Sequence, residues 1–197
     1  MNEDMKRILI INASPRRRGG IDRMLTIIED EARALGADVE TVRISQLTIA
    51  ACTGCMVCRK KLACILPEDG AQSTLGKIKA SDVLVIGAPC YWGNMPGTLK
   101  LLFDRIVYGM MDEDKRGIPV ALHKGKQAVI ISSCTTVWPF NILFHQSRGV
   151  VRALKEILKW SGFRIIATME KGGTKNHPDL KEVERRKCIR IAKKIAI

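Results

Sequence analysis

Aromatic residues, histidines and long apolar stretches are all scarce in this 197-residue chain. Phe, Trp and Tyr make up 5% of the residues, and His123, His145 and His177 have no spacing typical of a metal site. The apolar runs have the length of single strands, well short of the roughly 20 residues that a membrane-spanning helix needs. Because residues 1–6 are mostly polar, we expect neither a secretory signal nor a membrane anchor. These absences favour a soluble, cytoplasmic protein.

Acidic residues are also under-represented. Asp and Glu total 20 against 33 Lys and Arg, which gives a formal net charge of +13. Nucleic acid is not favoured as the partner, because aromatics are few and the basic residues form no known reading motif. The excess charge indicates either a solvated basic surface or attraction of anions, from phosphate groups to an acidic partner protein.

Cysteines, in contrast, are concentrated in one segment. Four of the seven lie within residues 52–64, as Cys52, Cys55, Cys58 and Cys64. The segment has neither helical nor strand periodicity, so we predict a ligand loop. Three thiolates at two-residue intervals can surround a small inorganic core and a fourth can close it, which predicts a 4Fe-4S cluster. Two alternatives stay open: a structural zinc site, although the usual long spacer between cysteine pairs is missing, and a loop without metal.

Short apolar segments alternate with helical periodicity along the chain. The predicted strands are residues 7–13, 38–44, 82–89, 127–133 and 164–168. Helices are predicted between them, with Asp22 assigned to the polar outer face of the first, and a basic amphipathic helix follows Pro178. Residues 109–126 are predicted to form a long polar connection. This alternation predicts an α/β fold, with a doubly wound parallel sheet and helices on both faces, in a single domain over residues 1–197.

Ligands of such sheets bind outside the carboxyl ends of the strands, where the strand order reverses. The loops that begin at Ser14, Pro89 and Ser132 all lie at that edge, and Ser133 ends the fourth strand there. The first loop contains Gly19 and Gly20 and leads into a helix, so its free backbone N–H groups favour a phosphate. The sequence therefore predicts a ligand site at this edge.

Three motifs in this order carry a family resemblance. They are Ile-Asn-Ala-Ser-Pro-Arg at residues 11–16, the cysteine loop, and Gly-Ala-Pro-Cys-Tyr-Trp-Gly-Asn-Met-Pro-Gly-Thr-Leu-Lys at residues 87–100 followed by Asp104-Arg105. Together they resemble the iron-sulfur flavoprotein branch of the NADPH-dependent FMN reductase family, over about residues 6–162. The resemblance implies a flavodoxin-like sheet of order 2-1-3-4-5 and bound FMN. It also implies a 4Fe-4S cluster in the cysteine loop, at about residues 50–68, and a homodimer or homotetramer.

The resemblance also assigns the site residues. It places the FMN phosphate in the first loop and the flavin ring against the second. The residues assigned to the cofactor are Ser14, Arg16, Arg17, Arg18, Gly19, Gly20, Pro89, Cys90, Tyr91, Trp92, Gly93, Asn94, Met95 and Ser133. Relatives commonly continue this phosphate loop with Gly-Asn-Thr or Gly-Asn-Ser, whereas this chain has Gly19-Gly20-Ile21. A side-chain amide and a hydroxyl are therefore missing, and backbone N–H groups and arginines must do more.

The resulting expectation is a redox flavoprotein. FMN would exchange two electrons with one partner and the cluster would pass them singly to another, such as an acidic ferredoxin-like protein, with NAD(P)H as a potential donor. We assign no catalytic acid, base or nucleophile, because electron transfer needs none; Cys90, Cys134 and Cys188 are expected to be small packing residues. The alternatives are an NAD(P)H-dependent FMN or quinone reductase without a cluster, and a zinc-binding or nucleic-acid-binding module.

Overall fold

A computed structural model describes residues 5–197, so residues 1–4 of the polar N-terminal segment lie outside the described part. The strands are β1 (Arg7–Asn12), β2 (Asp38–Arg43), β3 (Val83–Pro89), β4 (Met111–Glu113), β5 (Pro119–Ala121), β6 (Gln127–Ser133) and β7 (Arg164–Lys171). The helices are α1 (Gly20–Ala34), α2 (Cys58–Lys61), α3 (Gly70–Ala80), α4 (Gly97–Met110), α5 (Phe140–Leu143), α6 (Gln146–Ser161) and α7 (Glu182–Ala196), with a 3-10 turn at Ile44–Gln46.

Five parallel strands form the central sheet, in the order β2-β1-β3-β6-β7. Ile10 of β1, for example, pairs with Thr41 on one side and with Val85 on the other. Since β6 and β7 are the fourth and fifth strands of this sheet along the chain, the predicted flavodoxin-like order is confirmed. The strand order reverses between β1 and β3, which places the switch point at the carboxyl ends of these two strands.

Alternating residues of the strands build a separate core on each face of the sheet. Ile8 and Ile10 of β1 pack with buried residues of α1 and α7, whereas Leu9 and Ile11 pack with those of α3, α4 and α6. This is the two-residue period of a strand that is buried on both faces. The predicted arrangement of helices on both faces is therefore confirmed.

Two segments differ from the sequence-based expectation. The connection over residues 109–126 contains an antiparallel hairpin of β4 and β5, whose strands are too short to give a sequence pattern. Strand β7 continues three residues beyond the predicted end, to Lys171, which is 2% exposed. The Lys171 ammonium donates to both carboxylate oxygens of Glu184, at 3.0 and 2.9 Å, so a charged residue is accommodated inside a strand.

The chain leaves the cysteine segment at the N-terminus of α3, which is capped by side chains. Asp69 caps α3, its carboxylate accepting a hydrogen bond of 2.8 Å from the Ala71 N–H, while Gln72 completes a capping box. This arrangement satisfies N–H groups that the first turn of a helix would otherwise leave unpaired.

Among residues 5–197, no helix combines the length and apolar character needed to cross a membrane.

Candidate functional site

A cavity of about 130 Å³ lies at the carboxyl edge of the sheet, next to the switch point. Loops after β1, β3, β6 and β7 contribute to its wall. The residues predicted for the cofactor that line it are Ser14, Arg16, Arg18, Gly19, Gly20, Pro89, Cys90, Tyr91 and Ser133. The structure thus brings together residues far apart in sequence, as the common edge of the parallel strands requires.

The first loop leads directly into the open N-terminus of α1. Gly19 precedes the helix with extended backbone angles, and no side chain caps the first turn. A methyl group on Gly19 would lie 3.2 Å from the Arg16 Cβ atom, so the close folding of the loop favours glycine here. The uncapped N–H groups and the helix dipole make this end of the cavity favourable for an anion.

A buried carboxylate below the loop fixes its shape. Asp22 is 7% exposed and accepts hydrogen bonds from the Arg18 N–H at 2.7 Å and the Asn12 amide at 2.8 Å, and it pairs with Arg43. The sequence-based assignment of Asp22 to the solvent-facing side of α1 was therefore wrong, because helix period alone does not reveal a buried charge with partners. Burial acts to raise the pKa of Asp22, but these hydrogen bonds and the Arg43 charge outweigh it and lower the pKa.

The second loop folds into a tight turn after Pro89. Tyr91 and Asn94 exchange two backbone hydrogen bonds of 2.9 and 3.0 Å, and the intervening Trp92 and Gly93 are both left-handed, with φ of 53° and 70°. Two consecutive left-handed residues are typical of a type I′ turn. Tyr91 is half-exposed beside the cavity, whereas the Trp92 side chain is fully exposed at the tip of the turn. The turn therefore leaves two aromatic side chains available at this edge.

Some predicted cofactor residues are not brought to this cavity. Arg17, Trp92, Gly93, Asn94 and Met95 are absent from its wall. Met95 is buried in the core with α4 and α6, in keeping with its apolar character. Asn94 and Met95 instead line a separate cavity of about 350 Å³ between these two helices.

The cavity also contains residues that sequence reasoning missed. Ile21, Arg23, Cys134, Thr135, Thr174 and Pro178 line it as well. Two of them, Thr135 and Thr174, carry hydroxyl groups and come from the loops after β6 and β7. No local motif marks them, because their relation to the first loop arises only when β6 and β7 join the sheet.

Two thiols face this region from neighbouring strands. Cys90 and Cys134 directly follow Pro89 and Ser133, which pair across β3 and β6, and both thiols line the cavity. Burial, and for Cys90 also the nearby Cys134, raises the pKa of each thiol. They are thus predominantly protonated near neutral pH and are poor nucleophiles.

The turn of the second loop rests on the start of α6. The Gly149 backbone in the first turn of α6 approaches Gly93 so closely that a methyl group on Gly149 would lie 1.7 Å from the Gly93 carbonyl oxygen. This contact couples the position of the Tyr91 turn to that of α6.

The four cysteines of residues 52–64 line a second cavity, of about 260 Å³. Gly54, Met56 and Leu62 adopt left-handed conformations, with φ of 69°, 59° and 51°, and so turn the loop back on itself. Cys52 and Cys55 are exposed, whereas Cys58 and Cys64 are half-buried. Within the part of the chain that the structure describes, no three His, Cys, Asp or Glu side chains are placed to hold a metal ion.

Residues of helix α4 line one side of the cysteine cavity. Arg105 is buried, and its Nε lies 3.3 Å from the Cys64 Sγ. One turn further along α4, the Tyr108 hydroxyl accepts a hydrogen bond of 2.6 Å from Arg59 of α2. Arg59 also forms an ion pair with Glu113 at 3.3 Å. The loop is therefore held against one helix by charged and polar contacts.

The sequence matches the model of the NADPH-dependent FMN reductase family over residues 6–154. A protein of Methanosarcina thermophila named iron-sulfur flavoprotein is 34% identical over 97 residues, 49% of this chain and 50% of that protein. The chain spans about half the length of the curated iron-sulfur flavoproteins it matches. FMN-dependent NADH:quinone oxidoreductase 3 of Pseudomonas aeruginosa is 25% identical over 194 residues, 90% of this chain and 87% of that protein.

Solved structures agree on the architecture. The FMN complex of an FMN-dependent NADH-azoreductase from Bacillus anthracis superposes with a TM-score of 0.72, at 16% identity, covering 98% of this chain and 100% of that one. At this identity the structural likeness shows the fold alone. The match to the family model covers four of the five strands of the central sheet, the loop after β1 and the loop after β3. The chain therefore belongs to the NADPH-dependent FMN reductase family.

Proposed function

We propose that the chain is an FMN-dependent oxidoreductase that carries a 4Fe-4S cluster in its cysteine loop and transfers electrons between a donor and an acceptor. The observation that carries the proposal is the presence of two distinct cavities. One combines an open helix N-terminus with arginines at the switch point, and the other is lined by four thiols. Family membership supports FMN at the first cavity, and the names of several relatives support iron and sulfur at the second.

The residues of the first cavity fit the phosphate end of FMN. Arg16 and Arg18 supply charge, the α1 N-terminus supplies N–H groups, and Thr135 and Thr174 add hydroxyl side chains. The volume of about 130 Å³ is smaller than the roughly 300 Å³ of a typical small-molecule pocket. We therefore place the phosphate and ribityl chain inside, with the flavin ring extending over the half-exposed Tyr91.

The second cavity fits an iron–sulfur cluster by the chemistry of its donors. Each cysteine of a 4Fe-4S site binds a different iron, so the four thiols need not converge on one point as they must around a single metal ion. Thiolates are the ligands that hold 4Fe-4S clusters, and Cys52, Cys55, Cys58 and Cys64 all face the same space. When bound, FMN exchanges two electrons and the cluster passes them one at a time. The protein groups would position and shield these cofactors, and the protonated thiols of Cys90 and Cys134 need not react.

The surface around the cysteine loop supports an acidic electron-carrier protein as a partner. Arg59, Lys60 and Lys61 follow Cys58 directly in α2, and the chain as a whole carries an excess of 13 positive charges. Such a patch would steer an acidic protein towards the exposed side of the loop. Trp92, Trp138 and Phe144 have large apolar side chains that are exposed, which supports a homo-oligomer that would cover them. We also propose reduced nicotinamide as an alternative electron donor.

Anaerobic purification tests the proposal. We expect one FMN per chain together with about four irons and four sulfides, the composition of a single 4Fe-4S cluster. An absorption spectrum with separate iron, zinc and flavin assays distinguishes the outcomes. Protein that binds neither flavin nor iron after anaerobic reconstitution would refute the proposal, and stoichiometric zinc would refute its cluster component.

A second candidate function is an NAD(P)H-dependent FMN or quinone reductase without a cluster. The similarity over 90% of the chain to a protein named NADH:quinone oxidoreductase favours it. Rapid reduction of bound flavin by NADPH in iron-free protein, followed by reoxidation by a quinone, would support this candidate over the first.

A further inference from the structure

Arg105 is a buried cation on α4 whose guanidinium group contacts several parts of the cysteine segment. Its side chain has 0% exposure. Its Nη1 donates to the Ala50 carbonyl oxygen at 2.7 Å and to Asp69 Oδ2 at 2.8 Å, and its Nη2 donates to Gln72 Oε1 at 3.4 Å. The remaining edge of the group, at Nε, lies 3.3 Å from Cys64 Sγ. A buried charge is costly unless its donors are satisfied, so this site is built to hold a guanidinium group.

The contacts join the two ends of the cysteine loop. Ala50, two residues before Cys52, accepts from Arg105 and donates its own N–H to Asp69 Oδ2 at 2.9 Å. Cys64, at the other end, contacts Nε of the same arginine. Since Asp69 also caps α3, the start of the loop, its end and two helices meet at one guanidinium group.

A purely structural ion pair between Arg105 and Asp69 would not need the contact with sulfur. The planar fork of arginine offers donors on separate edges, and here one edge binds Asp69 while the other faces Cys64. A lysine ammonium is a compact charge on a flexible stem, so it cannot hold hydrogen bonds to Asp69 and to Cys64 in the same geometry. Arg105 therefore does more than neutralise the charge of Asp69: it also contacts the Cys64 sulfur.

We propose that Arg105 is the positioning residue of the cluster site, which orients the Cys64 sulfur and donates a hydrogen bond to it. This inference rests on the proposed function. Hydrogen bonds to ligand sulfurs, like nearby positive charge, stabilise the more negative reduced state of a cluster and raise its reduction potential. In the titration below, a chemical reductant would supply one electron to the cluster while Arg105 stays protonated, so no proton would be transferred.

The test compares R105K and R105Q with the wild-type chain and with K187Q, which removes an exposed positive charge from α7, on the other face of the sheet. The cluster is reconstituted anaerobically and its midpoint potential is measured by titration followed by electron paramagnetic resonance. We expect a lower potential in R105K, a still lower one in R105Q, and no shift in K187Q. We also expect chelators to remove iron about 10-fold faster from the Arg105 variants, in line with losses of outer-shell partners.

A second readout does not require the cluster. Amide hydrogen exchange over residues 50–66 of the metal-free chain should accelerate in R105Q and, less strongly, in R105K, while exchange in α1 and FMN binding stay unchanged. Unaltered potential and unaltered exchange in folded R105K would overturn the inference while leaving the proposed function intact. A wild-type chain that assembles no cluster would refute the cluster component of the proposed function and with it the effect on potential. If R105Q fails to fold, the R105K result decides.

Discussion

Replacing Gly149 by alanine tests whether the turn beside the candidate flavin cavity depends on its contact with α6. The new methyl group would lie 1.7 Å from the Gly93 carbonyl oxygen and 2.8 Å from its carbonyl carbon. These are backbone atoms of a turn closed by two hydrogen bonds between Tyr91 and Asn94, so they cannot rotate away as a side chain would. Either the turn or the first turn of α6 must move.

The expected magnitude follows from two opposing effects. Alanine is favoured over glycine inside a helix by about 1 kcal/mol. Overpacking in a close contact costs about 1–3 kcal/mol, and a rigid backbone neighbour places this contact at the upper end. We therefore expect G149A to lower the free energy of unfolding by about 2 kcal/mol. Because the turn carries Tyr91, the dissociation constant for FMN should rise about 10-fold, equivalent to about 1.4 kcal/mol.

Gly76 provides a matched control. It lies inside α3, where a methyl group would meet nothing within 4 Å. G76A should therefore raise the free energy of unfolding by up to about 1 kcal/mol and leave FMN binding unchanged. Urea unfolding of the metal-free protein and flavin fluorescence titration measure the two effects. A G149A protein as stable as G76A, with unchanged affinity for FMN, would refute the reasoning.

Three further predictions concern the two cavities. R16A should weaken FMN binding about 10-fold in a fluorescence titration, because a charge-assisted contact to phosphate is lost, whereas R17A, outside the cavity wall, should change it less than about 2-fold. C55S should lose its iron and sulfide in a metal assay while one FMN per chain remains bound. D22N should destabilise the fold by about 1–3 kcal/mol in urea unfolding near neutral pH, because hydrogen bonds to a buried carboxylate are weakened. Since the pKa of Asp22 lies below its ordinary value of 3.8, the wild-type advantage should be present above about pH 4 and disappear as the pH falls through the lowered pKa.

Each of these predictions has an opposing outcome. Equal losses of affinity in R16A and R17A would indicate a general effect of positive charge instead of a contact in the cavity. Loss of flavin together with iron in C55S would mean that the cysteine loop maintains the fold or a subunit interface. A difference between wild type and D22N that persists unchanged into acid would show that the Asp22 charge does not stabilise the first loop.

The sheet was predictable because its strongest sequence signal is also its main physical determinant. Runs such as residues 8–11 and 83–86 are apolar at every position, which occurs when both faces of a strand are covered. The hairpin of β4 and β5 was not predictable, because three-residue strands containing Asp112 and Glu113 give no periodic pattern. The end of β7 was missed for a related reason: the burial of Lys171 depends on Glu184, which reaches it from another element.

The candidate sites show the same division. The glycine-containing loop and the cysteine spacing are local patterns, so they could be read from the sequence. Asp22 and Arg105 are charged residues whose burial depends on partners that are distant along the chain, including Arg43 for the first and Cys64 for the second. Periodicity assigns such residues to the surface, and a three-dimensional structure is needed to recognise them as internal supports of a site.

The phosphate end of the first cavity and the cysteine loop are supported from opposite faces of the sheet. The phosphate end of the first is built on α1, which packs with α7, whereas the cysteine loop is supported by Asp69 before α3 and by Arg105 and Tyr108 of α4. Each side has its own core, joined through the strands between them. A change in the cysteine loop can therefore leave the α1 side of the first cavity with its shape intact, because the two are supported by separate cores.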